Sequence, residues 1–509
     1  MLAKILMLVF FICVTVFIGL KYRNKSGAVD DFVLGGREIG PWITAFAYGT
    51  AYFSAVVFIG YAGQFGWTYG ISATWIGIGN ALIGSLLAWV VLGRRTRIMT
   101  NHFHSATMPD FFAKRYQSET LRIVVSAIIF IFLVPYSASV YKGLSGLFAM
   151  AFGIDYNYCI IGIAILTALY VILGGYRATA FNDFFQGIIM LVGIIAVVLG
   201  VLNANGGFME SLTALSQVPA ESAPEFEGAF TSFFGPDPLG LLSVVILTSL
   251  GTWGLPQMVH KFYTIRNEKA IEAGTIISTL FALIIAGGSY FMGGFGRLFY
   301  VPDASGTVAY DSIVPNMLAQ SLPDIIIGLV IILVLSASMS TLSSLVIASS
   351  STLTVDFIKS IFAPQMSEKK QVLIIRLFCA VFVVISVVLA VNPNSLITSL
   401  MSLSWGTLAG CFLGPFLYGL FLKSVTKSAV WSAIIASLLI NIGNLIGGFT
   451  SPIKAGALSM IISLLIVPLV SKFTPKMAPE HIEKTFSCYE EKVYTARKYR
   501  LADKNGNGK

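Results

Sequence analysis

The sequence predicts an all-α polytopic membrane protein with about 13 transmembrane helices. Three observations support this prediction. The mean hydropathy is +0.82. Charged residues make up only 11% of the 509 residues, against about 25% in soluble domains. Apolar runs of about 20 residues, long enough to cross a bilayer, recur from one end of the chain to the other.

The predicted spans leave no stretch between them that is long enough to form a second folded domain. They cover residues 2–20, 42–66, 70–93, 122–152, 157–175, 180–203, 238–263, 268–298, 324–357, 371–391, 395–422, 426–447 and 453–471.

Basic residues are predicted to lie almost entirely on one side of the membrane. Of 33 Lys and Arg residues, only Lys4, Arg297 and Lys454 are assigned to the outer side, and only Lys142 to the membrane interior. The longest outer loop, 204–237, contains no Lys or Arg. The positive-inside rule therefore predicts a cell-membrane protein with its amino terminus outside and its carboxyl terminus in the cytoplasm. The net charge of +9 follows from this topology, and no nucleic-acid partner is predicted.

Two of the predicted spans contain residues that interrupt a helix. In the second span, AYGTAYFSAVVFIG (47–60) mixes glycine and hydroxyl side chains with β-branched and aromatic ones. In the seventh, LTSLGTWGLPQ (247–257) contains Gly251, Gly254 and Pro256. Pro256 has no N–H and Gly254 is conformationally loose, so a regular helix is not expected to continue through them. Taken singly, each break is better explained as a packing kink, because glycine and proline are frequent in membrane helices.

The two interrupted spans begin two successive sets of five spans, and an odd number of helices per set makes the sets inverted repeats. This matching favours a transporter with a five-plus-five core whose first and sixth core helices are broken. The predicted divisions are an extra N-terminal transmembrane helix (1–21), the first repeat with core helices 1–5 (42–203), an external loop (204–237), the second repeat with core helices 6–10 (238–422), two C-terminal helices (426–471) and a cytoplasmic tail with a short surface helix and a disordered end (472–509).

The ninth span is rich in hydroxyl side chains. Its stretch LSASMSTLSSLVIASSSTLT (335–354) places Ser340, Ser343 and Ser344 on one face of a helix, with Ser336 one turn away. Hydroxyls and backbone carbonyls are oxygen ligands suited to a hard, weakly held cation. The alternative is hydrogen bonding between helices, which is common for small residues in membrane bundles.

A membrane-embedded enzyme and a channel are the two rival classes. The spans contain no HExxH motif, no GxSxG motif and no paired carboxylates, and nothing in them indicates the polar ring of a channel filter. A closer alternative keeps the transporter fold but makes it proton-coupled or uncoupled, with Lys142 as the titrating group.

Four motifs resemble the sodium/solute symporter family, which includes proline and pantothenate permeases and sodium–galactose and sodium–sialic acid transporters. They are GGREIGPW (35–42), ALYVILGGYRATAFNDFFQG (168–187), GLPQMVHKF (254–262) and SASMSTLSS (336–344). The resemblance runs from about residue 30 to about residue 430 in the family's order, and the second motif is most similar to the pantothenate and proline permease branch. It implies a thirteen-helix protein that couples inward sodium flow to solute uptake.

The resemblance also implies a sodium site. In the family, this site uses backbone carbonyls and two hydroxyls, which correspond here to the carbonyls of Thr50, Phe53 and Ala337 and the hydroxyls of Ser340 and Thr341.

The resemblance further implies a second sodium site in some members, at positions that match Asp183, Ser343 and Ser344. The chain departs from the pattern at Tyr52, where proline permeases carry an acidic residue and galactose transporters an Asn. The solute-binding residues that we expect are Tyr52, Gln64, Tyr136, Lys142, Thr248, Thr252, Trp253, Pro256, Gln257 and Trp405. Trp405 is a candidate aromatic gate, with a simple core role as the alternative.

Lys142 lies in PYSASVYKGLSG (135–146), inside an otherwise apolar span where a charged side chain is costly. Its helical neighbours are small or polar, so it is predicted to face the interior of the bundle. Three interpretations of this lysine compete. Its side chain extends to the outer interface, it pairs with a buried carboxylate such as Asp183, or it binds a carboxylate of the solute. The last alternative predicts that the solute is a small organic acid or amino acid. The other partners predicted are sodium and the lipid bilayer, and no protein partner is indicated.

Overall fold

A computed structural model describes residues 2–22, 27–37, 39–220, 226–302, 304, 306–391 and 396–495. The α-helices in this part of the chain are α1 (Leu2–Lys21), α2 (Val29–Leu34), α3 (Pro41–Tyr52), α4 (Ala62–Tyr69), α5 (Thr74–Gly79), α6 (Arg94–His102), α7 (Met108–Tyr116), α8 (Glu119–Phe152), α9 (Tyr156–Ala204), α10 (Phe208–Ser216), α11 (Pro238–Leu250), α12 (Pro256–Tyr263), α13 (Glu268–Ala273), α14 (Thr279–Gly293), α15 (Tyr310–Ser321), α16 (Asp324–Thr352), α17 (Lys359–Phe362), α18 (Glu368–Ala390), α19 (Ile397–Phe421), α20 (Lys427–Gly447), α21 (Pro452–Phe473) and α22 (Pro479–Thr495). Short 3-10 turns cover Gly35–Arg37, Gly70–Ala73, Ala229–Thr231, Gly251–Trp253 and Gly296–Leu298. Segments of π-helix cover Val56–Tyr61, Asn80–Leu87, Trp89–Gly93, Gly274–Ser278 and Leu353–Ile358.

The number of membrane spans depends on two glycines. Within the described residues, 11 helices are long and apolar enough to cross a membrane, and a shorter apolar helix covers Tyr156–Leu169. The stretch Val56–His102 contains parts of two predicted spans, which Gly70 separates with φ +63° and ψ −142°. Gly175 divides α9 in the same way, with φ +61° and ψ −172°. Because glycine adopts such angles at little cost, these residues end one span and begin the next, which agrees with about 13 spans.

Both predicted helix breaks are present. The helix α3 ends at Tyr52, and Phe53 has an extended backbone with φ −118° and ψ 131° before the helical path resumes near Val56. Between α11 and α12 the chain passes through Leu255, with φ −76° and ψ 123°. Pro256 then begins α12. Proline is well suited to this position, because the first N–H groups of a helix have no carbonyl partner within it, and proline has no N–H to leave unpaired. Each break interrupts the regular series of backbone hydrogen bonds within its helix.

The outer surface of the bundle is apolar, as lipid contact requires. Side chains such as Leu439 (69% exposed) and Val388 (71% exposed) point outwards. The Nζ atom of Lys4 lies 2.7 Å from Asp324 Oδ1, so the first residues of α1 and α16 lie at the same end of the bundle. This agrees with the predicted topology, in which both helices begin on one side of the membrane.

The helix α22 is the surface helix expected in the tail. His102 of α6 lies 3.1 Å from the carbonyl oxygen of Lys484, and the Tyr489 hydroxyl donates to the carbonyl oxygen of Arg95 at 3.3 Å. The disordered end that the sequence predicts, with KYRLADKNGNGK (498–509), lies outside the described residues.

Candidate functional site

The five residues that the resemblance implied as sodium ligands meet at the break in the first core helix. Ser340 Oγ lies 3.0 Å from the carbonyl oxygen of Thr50 and 3.0 Å from that of Ala337. Thr341 Oγ1 lies 3.3 Å from the carbonyl oxygen of Phe53. All five residues are 0% exposed. The fold therefore brings these ligands together from α16 and from the end of α3.

The contact between α3 and α16 also includes the carbonyl oxygen of Ala51, which the sequence did not single out. In an unbroken helix, the N–H of Ala55 would donate to the carbonyl of Ala51. Here it donates to Ser338 Oγ at 3.2 Å, and the Ala51 carbonyl accepts from Thr341 Oγ1 at 3.3 Å. Two side chains of α16 thus take over the backbone partners that the break leaves free.

This cluster offers only neutral oxygen atoms. A hydroxyl hydrogen can rotate, so Ser340 and Thr341 can donate to the carbonyls or turn a lone pair towards a cation placed among them. Hard cations prefer such oxygen ligands, whereas soft metals prefer sulfur or imidazole. Among the described residues, no group of three or more His, Cys, Asp or Glu could hold a metal ion. The donor set fits sodium.

Tyr52, Tyr136 and Trp405 form an aromatic cluster beside the break. The Trp405 ring lies 6.1 Å from the Tyr52 ring in a stacked arrangement and 5.9 Å from the Tyr136 ring edge-on, measured between ring centres. The Tyr52 ring also stacks on Phe53 at 4.3 Å. Three of the predicted solute-binding residues therefore adjoin the oxygen cluster.

Several polar atoms of the predicted solute-binding residues are buried without a hydrogen bond of ordinary geometry to the described residues. They are Tyr136 Oη, Trp405 Nε1 and both amide atoms of Gln257. Buried polar groups are nearly always paired in folded proteins. These atoms are therefore suited to bind a solute or ordered water.

The predicted residues of the sixth core helix hold its break in place. Thr252 Oγ1 and Trp253 Nε1 donate to carbonyls in the segment Asn80–Leu87, at 3.0 Å and 2.9 Å. The Tyr52 hydroxyl donates to the carbonyl of Thr248 at 2.7 Å and so joins the two broken helices. Solute binding by Thr248, Thr252 and Trp253 stays a prediction.

Gln64 and Lys142 lie nearer the predicted outer side than the aromatic cluster. Gln64 Oε1 accepts a hydrogen bond from Thr398 Oγ1, and Thr398 precedes Trp405 on α19 by about 10 Å of helix. On α8, Lys142 follows Tyr136 by about 9 Å of helix. The structure therefore separates these two residues from the aromatic cluster, and their role in solute binding stays a prediction.

Lys142 lines a cavity of about 410 Å³ together with Asp311 and Asn316. Asp311 lies in the first turn of α15, and its Oδ2 accepts from the N–H of Ile397 at 3.3 Å. Burial raises the pKa of the Asp311 carboxyl, and the nearby charge of Lys142 opposes this shift. We call this cavity, with its two opposite charges, the outer cavity. The carboxylate beside Lys142 is therefore Asp311 and not Asp183.

Asp183 instead faces Lys261. Lys261 Nζ lies 3.6 Å from Asp183 Oδ2, and the two side chains are 1% and 0% exposed. The expectation that Lys142 is the only Lys or Arg in the interior is therefore wrong, because Lys261 is buried opposite Asp183 within the membrane-length stretch Pro238–Tyr263. The hydroxyls of Ser343 and Ser344 donate to a carbonyl of their own helix, at 2.9 Å and 3.1 Å. A second sodium at these residues stays a prediction.

Comparison with known proteins decides the family. The model of the sodium:solute symporter family matches residues 32–436, which is more than half of the chain. The chain belongs to the sodium:solute symporter family. It is a multi-pass membrane transporter that couples sodium to the movement of a small solute, and it is not an enzyme.

The relatives of this symporter agree with its fold. A sodium/proline symporter of Staphylococcus aureus is 28% identical over 495 residues, covering 95% of this chain and 88% of the relative. A solved structure of a Na⁺-coupled sialic acid symporter, substrate-bound and outward-open, has a TM-score of 0.71 at 17% identity, covering 93% of this chain and 98% of that one. Mhp1, a nucleobase-cation-symport-1 family transporter, has a TM-score of 0.51 at 15% identity, covering 91% and 99%. The predicted transporter fold is confirmed.

Sequence reasoning missed three features of this symporter. The carbonyl of Ala51 is not visible in a side-chain pattern. Asp311 was not singled out, because it lies between the predicted spans 268–298 and 324–357, whereas its position at the start of α15 places it in the outer cavity. Lys261 lies in α12, the short helix that follows the second break. Its charge, within the motif GLPQMVHKF, was the signal in the sequence that could have indicated a buried charged residue here.

Proposed function

We propose that this symporter imports a small organic acid or amino acid across the cell membrane, driven by inward sodium flow through alternating access. The main support is the convergence of the Ser340 and Thr341 hydroxyls with the carbonyls of Thr50, Phe53 and Ala337 at a broken helix. A sodium ion among these oxygens would join α3 to α16 and favour one conformation of the break.

Coupling follows because the sodium site and the aromatic cluster share one segment. Tyr52 lies between Ala51 and Phe53, whose carbonyls face Thr341, and its ring stacks near Trp405. A cation that orders these carbonyls also orders the Tyr52 ring, so a solute that binds next meets a segment already fixed. By linkage, each ligand raises the affinity for the other by the same factor.

The solute class rests on the outer cavity. Lys142 and Asp311 place opposite charges on its walls. An amino-acid zwitterion presents a carboxylate to Lys142 and an ammonium to Asp311, whereas a monocarboxylate uses Lys142 alone. The relative that transports proline makes proline the first solute to test. Tyr52 is a reason to test other solutes with it, because the resemblance places an acidic residue there in proline permeases.

Uptake into proteoliposomes tests the proposal. Radiolabelled proline, pantothenate, short monocarboxylates, sialic acid and galactose are supplied with and without an inward sodium gradient. We expect a carboxylate or amino acid to accumulate only with sodium. Uptake that ignores sodium and follows a proton gradient would contradict sodium coupling and favour the alternative in which Lys142 titrates.

The variant Lys142→Gln is expected to raise the KM for the carboxylate solute by about 10- to 100-fold, because it removes a charge-assisted hydrogen bond of about 1.5–3 kcal/mol. The sodium concentration at half-maximal uptake should change little. Lys454→Gln, at the exposed start of α21, is the matched control and should leave both values unchanged. An unchanged KM in Lys142→Gln would show that Lys142 does not bind the solute.

The variant Asp311→Asn is expected to raise the KM for an amino acid and to spare a monocarboxylate, which has no ammonium group. Burial raises the pKa of the Asp311 carboxyl, so its negative charge is lost at a higher pH than that of an exposed aspartate. Amino-acid affinity should be present above this raised pKa and fall as the outer pH is lowered through it. Kinetics of both solutes across a pH series provide the measurement, and equal changes for both would exclude an ammonium contact.

A further inference from the structure

The pair formed by Lys261 and Asp183 has no part in the oxygen cluster at Ser340 and Thr341 or in the outer cavity. Lys261 lies in α12, the second half of the broken sixth core helix, and Asp183 lies in α9, in the other repeat. Their charged atoms are 3.6 Å apart, and both side chains are almost completely buried. An opposite charge at this distance neutralises each partner where neither can reach water.

Two aromatic rings lie beside this pair. Lys261 Nζ lies 5.0 Å from the centre of the Tyr176 ring, a distance at which a cation is attracted to the ring face. The His260 ring lies 5.5 Å from the same tyrosine. The Lys261 ammonium therefore lies between the Asp183 carboxylate and the Tyr176 ring.

A sodium ion bound at Asp183 would compete with this ammonium. Two unit positive charges about 4 Å apart repel strongly enough, at the effective dielectric of a protein, to lower the affinity for the ion by about 1000-fold. The residues present therefore do not fit a second sodium while Lys261 stays in place.

We propose that Lys261 is a tethered cation that occupies Asp183 in place of a second sodium, so that each solute is carried with one sodium ion. This inference rests on the proposed function, because it concerns how many ions that transport uses. It makes Lys261 the residue that determines the coupling ratio. The first sodium site, at Ser340 and Thr341, is independent of this pair in its ligands.

Counting bound sodium is the direct test. Binding of ²²Na⁺ to the purified full-length protein, without solute, should saturate at one ion per chain. Lys261→Met leaves Asp183 without its cation and should raise the count to two. The matched double variant Lys261→Met/Asp183→Asn removes both charges and should return the count to one. If Lys261→Met does not fold, Lys261→Gln, which keeps a polar side chain but removes the charge, takes its place and should also raise the count to two.

Solute accumulation gives a second readout. With a tenfold sodium gradient and no membrane potential, one coupled sodium supports about 10-fold accumulation of solute at equilibrium, and two support about 100-fold. We expect the unmodified protein to stop at the lower value.

The outcomes separate the two proposals. Two sodium ions in the unmodified protein, falling to one in Asp183→Asn, would overturn the tethered cation and leave sodium symport standing. One ion in a folded Lys261→Met would also overturn it. No bound sodium in any variant, together with uptake that ignores sodium, would contradict the proposed function itself.

Discussion

The double variant Ser340→Ala/Thr341→Ala is expected to abolish sodium-dependent uptake and to lower sodium affinity by at least about 100-fold. Each substitution removes one hydroxyl ligand. An interaction of a hydroxyl with a charged partner contributes about 1.5–3 kcal/mol, so the loss of two corresponds to roughly two to four powers of ten. The carbonyls of Thr50 and Phe53 remain but lose the hydroxyls that now hold them in place.

The matched control is Ser349→Ala. Ser349 lies on the same helix, is 0% exposed, and donates to the carbonyl of Val346 at 3.1 Å, as other serines of α16 do within their own helix. Binding of ²²Na⁺ and sodium-dependent uptake are measured for both variants at equal amounts of folded protein. Retention of sodium dependence in the double variant would show that the ion binds elsewhere.

The variant Gly66→Ala is expected to prevent stable folding of the protein in the membrane. A Cβ atom at Gly66 of α4 would lie 2.0 Å from the carbonyl oxygen of Gly293 in α14. A Cβ atom at Gly293 would in turn lie 2.2 Å from the carbonyl oxygen of Ala62. Both obstacles are backbone atoms, so the helices must separate, and overpacking of this kind costs about 1–3 kcal/mol or more.

The functional consequence follows from the position of α4. This helix continues the outer half of the broken first core helix, so moving it also moves the backbone that follows Phe53. The measurement is the yield of monodisperse protein and its unfolding temperature in detergent. Gly443→Ala is the control, because a Cβ atom at Gly443 in α20 meets nothing within 4 Å. Equal stability of the two variants would show that α4 and α14 are not in backbone contact.

Features that depend on local composition were predictable from the sequence. Hydropathy defined the spans, since a helix that faces lipid must be apolar along its length. Because Pro256 lacks an N–H, it indicated the second break whatever the exact bounds of the seventh span. The hydroxyls of Ser340 and Thr341 were identified by the family resemblance, and the structure brings them to the predicted carbonyls.

Features that depend on pairing between distant segments were not predictable in this way. The sequence shows that Lys142 needs a partner or a ligand, but only the packing of α15 places Asp311 in the same cavity. Likewise, Lys261 had been counted among the basic residues of the cytoplasmic side, at the end of the span 238–263, whereas the path of α12 brings it to Asp183.

The sequence by itself therefore determined that this protein is a membrane transporter with two broken core helices and a hydroxyl-rich helix. Each of these properties is determined by a single segment and its solvent. Only the tertiary structure decided which charges neutralise each other. A buried charge is stabilised by a partner within a few ångströms, and the distance between Lys261 and Asp183 is set by how two helices of different repeats pack.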